Sequence, residues 1–156
     1  MQIHIIAVGR LKKGPELDLV REYVKRTPWP VTISEVEEKR PVKGTERLMR
    51  EAELILSALS RLRSGSSPII ALDERGKNMR STDFAAHIAQ WRDSGHNTLT
   101  FLIGGADGFA PEIREQADLK LSFGAMTWPH MMVRLMLCEQ IYRASTILAG
   151  HPYHRE

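Results

Sequence analysis

The chain has 156 residues, 42% of them hydrophobic and 26% charged, with 11 Gly, 8 Pro and a single Cys, which suits one compact domain with a core of its own. A lone Cys138 excludes an intrachain disulfide scaffold, and no run of about eighteen apolar residues supplies a spanning helix. The formal charge of +3 admits a polyanionic partner without requiring one. Ile3–Val8 is too short for a signal-peptide core and Met1-Gln2 carries no basic leader, so a reducing, cytoplasmic location without a membrane is expected.

In chain order, hydrophobic periodicity switches repeatedly between two residues and three to four. Strands are predicted over Ile3–Val8, Val31–Val36, Ile69–Asp73, Thr98–Ile103 and Leu119–Ser122, each rich in Ile, Val, Leu or Thr. A first helix begins at Pro15 and aligns Leu17, Val20 and Val24; a second, after Thr45, carries Leu48, Ala52, Ile55, Leu56, Leu59 and Leu62 on one stripe and ends at Ser64-Gly65. Ser81 or Thr82 is expected to cap a third, with Phe84, Ile88 and Trp91 inward and Gly95 as its stop. A short fourth helix follows Pro111 and a long fifth covers about Met131–Leu148. The alternation predicts a mostly parallel sheet with helices on both faces.

Charge is unevenly spread. Residues 1–50 hold 11 Lys/Arg against 7 Asp/Glu and the remainder holds 11 against 12. Arg10, Lys12, Lys13, Lys39, Arg40 and Lys43 fall in expected turns, where they form either one basic rim or merely solvated loops.

Ligands of open α/β sheets bind beyond the carboxyl ends of the strands, which directs attention to three loops. They are Leu72–Lys77, Ile103-Gly104-Gly105-Ala106-Asp107-Gly108, and Phe123-Gly124-Ala125-Met126-Thr127-Trp128-Pro129-His130. The glycines let main-chain amides approach a nucleotide-like ligand, although they also suit a plain tight turn. Neither a P-loop nor a dinucleotide fingerprint is present, and Glu35, Glu37 and Glu38 only gesture at the acidic residue a dinucleotide-dependent oxidoreductase would use. Pro129 fixes a bend, and extended backbone there suits a purine edge. The last helix, apolar at Met131, Met132, Val133, Leu135, Met136, Leu137, Ile141 and Tyr142, needs cover on several sides, from a homodimer partner or a large core. His151 and His154 are too few for zinc, so no metal is expected, whereas Tyr153 and Arg155 suit a stacked base and an anion.

Gly104-Gly105-x-x-Gly108, Leu121-Ser122 through Met126-Thr127-x-Pro129-His130, Glu139-Gln140-x-Tyr142-Arg143-Ala144 and His151-Pro152-Tyr153-His154-Arg155 together resemble the RlmH-type large-subunit ribosomal RNA methyltransferases of the SPOUT superfamily. The resemblance spans nearly the whole chain, including Ala7-Val8-Gly9. It implies a SPOUT-type α/β fold with a C-terminal trefoil knot, which connection rules alone would never suggest. It also implies S-adenosylmethionine as cofactor, held by Leu72, Gly104, Gly105 and the backbone of Gly124, Ala125, Met126, Thr127, Trp128 and Pro129. The expected reaction methylates ring nitrogen three of a pseudouridine in large-subunit ribosomal RNA on the assembled ribosome. The expected enzyme is a homodimer in which one subunit's tail completes the other's site. Arg155 would stabilise charge on the uracil carbonyls, His154 or His130 would take the proton, and Tyr153 would stack on or position the base. Arg134 is a further candidate for phosphate contact, and Glu139 and Arg143 are expected to pair along the helix. A non-catalytic, ribosome-associated RNA-binding protein on the same scaffold is the alternative.

Overall fold

A computed structural model describes residues 1–62 and 67–155. Five strands alternate with five helices: β1 (Gln2–Val8), α1 (Pro15–Arg26), β2 (Val31–Val36), α2 (Gly44–Leu62), β3 (Ile69–Asn78), α3 (Ser81–Asp93), β4 (Thr98–Ile103), α4 (Pro111–Gln116), β5 (Leu119–Ser122) and α5 (His130–Leu148). The expected end of the second helix at Ser64-Gly65 lies outside the described residues. The strands form one sheet of order β2-β1-β4-β3-β5, and every neighbouring pair is parallel.

This order explains the two-sided packing. The steps β1 to β2 and β3 to β4 run one way across the sheet, while β2 to β3 and β4 to β5 run the other; right-handed crossovers then send their helices to opposite faces. Accordingly Ile3, Ile5 and Ala7 of β1 pack with Val20 of α1, Phe84 and Ile88 of α3, and Leu137 and Ile141 of α5. Ile6 and Val8 pack with Ala52, Ile55 and Leu59 of α2 and Ile113 of α4. No helix among the described residues is long and apolar enough to cross a membrane.

Two local expectations change. Strand three does not stop at Asp73 but runs to Asn78, with its pairing to β5 slipping between Leu72 and Lys77 so that both face Leu121. The polar residues between them form a bulge, closed by an Arg75 N–H donating to Asp73 Oδ1 at 2.9 Å and by the Asp73–Arg114 ion pair at 2.8 Å. Gly76 permits the slip: a Cβ there would lie 2.6 Å from the Lys120 carbonyl carbon. The cap of α3 is Arg80 rather than Ser81 or Thr82, because Asp83 turns back to accept from the Arg80 N–H at 3.4 Å and its Nε at 3.1 Å. The helix stops as expected, with Gly95 N–H to Arg92 O and His96 N–H to Trp91 O, both 3.0 Å, forming a Schellman closure.

Candidate functional site

The carboxyl ends of β3, β4 and β5 open onto one cleft of about 240 Å³. Its walls bring together Leu72 to Arg75 of the bulge, Ile103 to Phe109 of the glycine turn, and Leu121 to Gly124, Met126 to Trp128 and His130 around the last loop. Of the residues expected at the cofactor, Leu72, Gly104, Gly105, Gly124, Met126, Thr127 and Trp128 line this cleft. Ala125 and Pro129 belong to the same loop but are not among the lining residues.

The glycine turn is shaped by close main-chain approach. Gly108 N–H donates to Gly105 O at 3.1 Å, and a Cβ at Gly104 would lie 2.9 Å from the Gly108 carbonyl oxygen. Ser122, a motif residue to which the sequence assigns no contact, fastens the other wall. Its hydroxyl lies 3.2 Å from the Glu74 carbonyl and 3.0 Å from that of Gly124, and it accepts the Gly124 N–H at 3.2 Å. The lining joins apolar side chains (Leu72, Ile103, Phe109, Leu121) to main-chain donors and acceptors of three turns. That donor set fits a purine nucleoside held largely by backbone.

His130 stands at the start of α5, its Nε2 3.2 Å from where a Cβ of Gly9 would be. Burial, and then the charge of Arg134, hold its imidazole below the usual histidine pKa, against a smaller opposing pull from Glu51. An NMR titration of the ring is expected to give a midpoint below the ordinary 6.5. Since the unfolded chain then binds the proton more readily, this site's contribution to stability is present above pH 6.5 and fades as pH falls through the folded value.

Arg134 is not available to RNA. It is 1% exposed, pairs through Nη1 with Glu35 Oε1, and donates Nη2 to Gly9 O at 2.9 Å. Glu35 also accepts the Leu11 N–H at 2.8 Å. The acidic residue that gestured at a dinucleotide ribose is thereby occupied in tying α5 to the ends of β1 and β2. Glu35→Gln should leave the guanidinium buried without its counter-charge, costing about 3 kcal/mol in a urea melt.

The terminal residues sit elsewhere. Tyr153 packs edge-on to Tyr142, with ring centroids 4.7 Å apart, lies 4.9 Å from the Arg143 guanidinium, and donates its hydroxyl to Glu139 Oε1 at 3.1 Å. Arg143 also donates Nε to Glu139 at 3.0 Å, the expected helix pair. His154 Nδ1 stands 3.4 Å from Arg143 Nη1. Tyr153, His154 and Arg155 are absent from the lining of the cleft. Cys138 is buried, and burial pushes its thiol up to about 12, so it is no nucleophile. Among the described residues no three His, Cys, Asp or Glu are grouped to hold a metal.

Parallel pairing of Val8 with Val36 sets the loops after β1 and β2 side by side, bridged by Arg10–Glu37 at 3.5 Å. Arg40 pairs with Glu38, while Lys12, Lys13, Lys39 and Lys43 are exposed. This lysine-bearing rim lies at the same carboxyl end of the sheet as the cleft, toward the β2 edge.

The family described as "Predicted SPOUT methyltransferase" matches residues 1–154. The chain is 53% identical to the ribosomal RNA large subunit methyltransferase H of Paramagnetospirillum magneticum, over 99% of both chains. It is 51% identical to the protein of that name from Rhodospirillum centenum, again over 99% of each. Among solved structures, a methylase family protein from Haemophilus influenzae superposes with a TM-score of 0.57 at 9% identity, covering 99% of this chain and 70% of that one. A Legionella pneumophila methyltransferase in complex with bound S-adenosylmethionine gives 0.50 at 16% identity, over 92% and 66%. These distant likenesses bear on the fold.

Proposed function

The chain belongs to the SPOUT methyltransferase family, and from that premise we propose that it is an S-adenosylmethionine-dependent methyltransferase of large-subunit ribosomal RNA. The finer reading is methylation of a pseudouridine at ring nitrogen three, on the assembled ribosome, in the cytoplasm. The observation that carries the proposal is the convergence of three strand-end turns on one backbone-lined cleft, together with the 53% identity to a ribosomal RNA large subunit methyltransferase H.

When bound, S-adenosylmethionine supplies a methyl group already activated on a sulfonium. Leu72, Gly104, Gly105 and the Gly124–Pro129 loop would hold it, and the chain's remaining task is to seat the ring nitrogen in line, exclude water and take the proton. His130, whose resting form is neutral because burial and Arg134 disfavour its charge, suits that proton. Arg155 stabilises the charge that spreads onto the ring carbonyls, His154 relays the proton, and Tyr153 positions the base.

The whole chain acts as one domain and works as a homodimer with the tail serving in trans. Support comes from the tail's contacts with Glu139, Tyr142 and Arg143, outside its own cleft. An apolar groove of about 430 Å³ also runs beside α1 and α5, with Leu19, Leu135 and Met136 in its wall. The α5 side chains Met131, Met132, Val133, Leu135 and Met136 are only half-buried, as a face awaiting a second subunit would be. The knot is part of the same reading, supported by the family match over residues 1–154. The lysine rim meets phosphate, so ribosome binding weakens with salt.

Transfer of labelled methyl from S-adenosylmethionine to ribosomes lacking the modification, with mass spectrometry of the product nucleoside, tests the proposal. Ribosome binding without transfer would favour a binding-only protein. Thermal stabilisation by NAD and not by S-adenosylmethionine would overturn the cofactor.

A further inference from the structure

The cleft is opposite in sign to the chain that builds it. The chain is net positive and Lys12, Lys13, Lys39 and Lys43 crowd the rim toward β2, yet the ionisable residues lining the cleft are Asp73, Glu74, Arg75, Asp107 and His130. His130 is held toward its neutral form. Asp73 is already engaged: Arg114 Nε lies 2.8 Å from its Oδ2 and Arg75 Nε 3.7 Å from its Oδ1. Glu74 and Asp107 have no such partner. Both are exposed, and among the described residues neither carboxylate makes a hydrogen bond or an ion pair. With Arg114 behind the bulge included, three carboxylates face two guanidiniums.

The main chain holds both acids at the cleft. Asp107 stands at the tip of the glycine turn, one of the two residues enclosed when Gly108 N–H donates to Gly105 O at 3.1 Å. Gly108 completes that turn at a φ of 77°. Glu74 sits in the bulge of β3, its carbonyl 3.2 Å from the Ser122 hydroxyl and the next N–H, of Arg75, donated to Asp73 at 2.9 Å. The two acids therefore belong to adjacent strand ends, β4 and β3. A site for phosphate or pyrophosphate has the reverse polarity, so the ligand that suits this cleft carries positive charge.

We propose that Glu74 and Asp107 make the cleft read the charge on the ligand's sulfur, so that it holds S-adenosylmethionine and releases S-adenosylhomocysteine. The inference rests on the cofactor reading above. The two molecules share the adenosine that suits the main chain of the turns, and an amino-acid end whose ammonium and carboxylate cancel. They differ by one methyl and one positive charge. Transfer of the methyl to the ring nitrogen leaves the bonding electron pair on sulfur, and the sulfonium becomes a neutral thioether. Backbone contacts alone would hold donor and spent product almost equally, and the product would then block the next turnover. Unpaired carboxylates favour only the cation, and because both are exposed, salt weakens their pull.

The test is calorimetry on the full chain with S-adenosylmethionine, S-adenosylhomocysteine and sinefungin, in which a protonated amine replaces the methylated sulfur. Titrations are run in about 0.01 M and about 1 M salt, which bracket weak and strong screening. Wild type is expected to bind the two cationic ligands at least about tenfold more tightly than the thioether in low salt, with the gap narrowing in high salt. Glu74→Gln combined with Asp107→Asn should close most of that gap by weakening the cations alone, leaving the Kd for S-adenosylhomocysteine where it was. A purely structural role would weaken all three ligands together, and that result overturns the proposal. So does a gap that survives in the double variant, or a wild type that binds S-adenosylmethionine and S-adenosylhomocysteine equally. Failure of all three ligands to bind wild type would instead overturn the cofactor reading itself.

Discussion

Removal of residues 153–156 is expected to lower methyl transfer by at least about 100-fold, the scale on which loss of a preorganised charge-stabilising group acts, while calorimetry finds S-adenosylmethionine bound as tightly as before. The reason is spatial. The cleft is built from β3, β4 and β5 turns, and Tyr153 and His154 rest on α5 against Glu139, Tyr142 and Arg143. The truncated protein therefore keeps every residue that lines the cleft, and on the proposed assignment loses only what the tail would bring to substrate. If the tail serves a neighbour's cleft, mixing truncated subunits with Gly104→Ala subunits gives heterodimers in which one site has both an intact cleft and an intact tail. About a quarter of the sites should then work after free exchange. Full activity of the truncated protein would refute the assignment, and no recovery after verified exchange would refute sharing.

Gly104→Ala carries the second large effect, on the cofactor. The new methyl would meet the Gly108 carbonyl at 2.9 Å to oxygen and 3.1 Å to carbon, and the Phe109 ring at 3.3 Å. The first two are main chain, fixed by the Gly108 N–H to Gly105 O bond, so the turn must open rather than a side chain swing away. A loss of about 2 kcal/mol in stability is expected, together with cofactor affinity weakened at least about tenfold, since 1.4 kcal/mol corresponds to one decade. Thermal melts and calorimetry read both. A cofactor Kd equal to wild type would show that the turn does not shape the cleft.

Much of this architecture is legible in the sequence because central Thr98–Ile103 reads as a nearly continuous apolar run while the edge strands Val31–Val36 and Leu119–Ser122 alternate apolar with polar. Val31–Val36, Thr98–Ile103 and Leu119–Ser122 have the bounds expected of them. Strand three does not, since Asp73, Glu74 and Arg75 look like loop, and only the Gly76 contact with Lys120 reveals a bulged strand. Strand order is invisible to periodicity: nothing local says that β4 lies between β1 and β3. The cleft was foreseeable from the rule that ligands gather at carboxyl ends, whichever strands adjoin.

Arg134 and Glu51 were harder, for a shared reason. Each is a surface charge by type and core by position; type alone directs Arg134 toward phosphate, and it gives Glu51 no role. Arg134 falls within a helix apolar around most of its circumference, and Glu51 occupies the stripe between Leu48 and Ile55. A charge at a core position of an otherwise regular pattern was the available signal for both.

The placement of α5 between α1 and α3 bears on how quickly this half of the molecule consolidates. Leu137, Cys138, Ile141 and Ala144 supply one wall of the larger core, against Ile3, Val20 and Phe84 from the opposite end of the sequence. Those contacts close very long loops, so the helix that completes the core is the one whose docking has the highest entropic barrier.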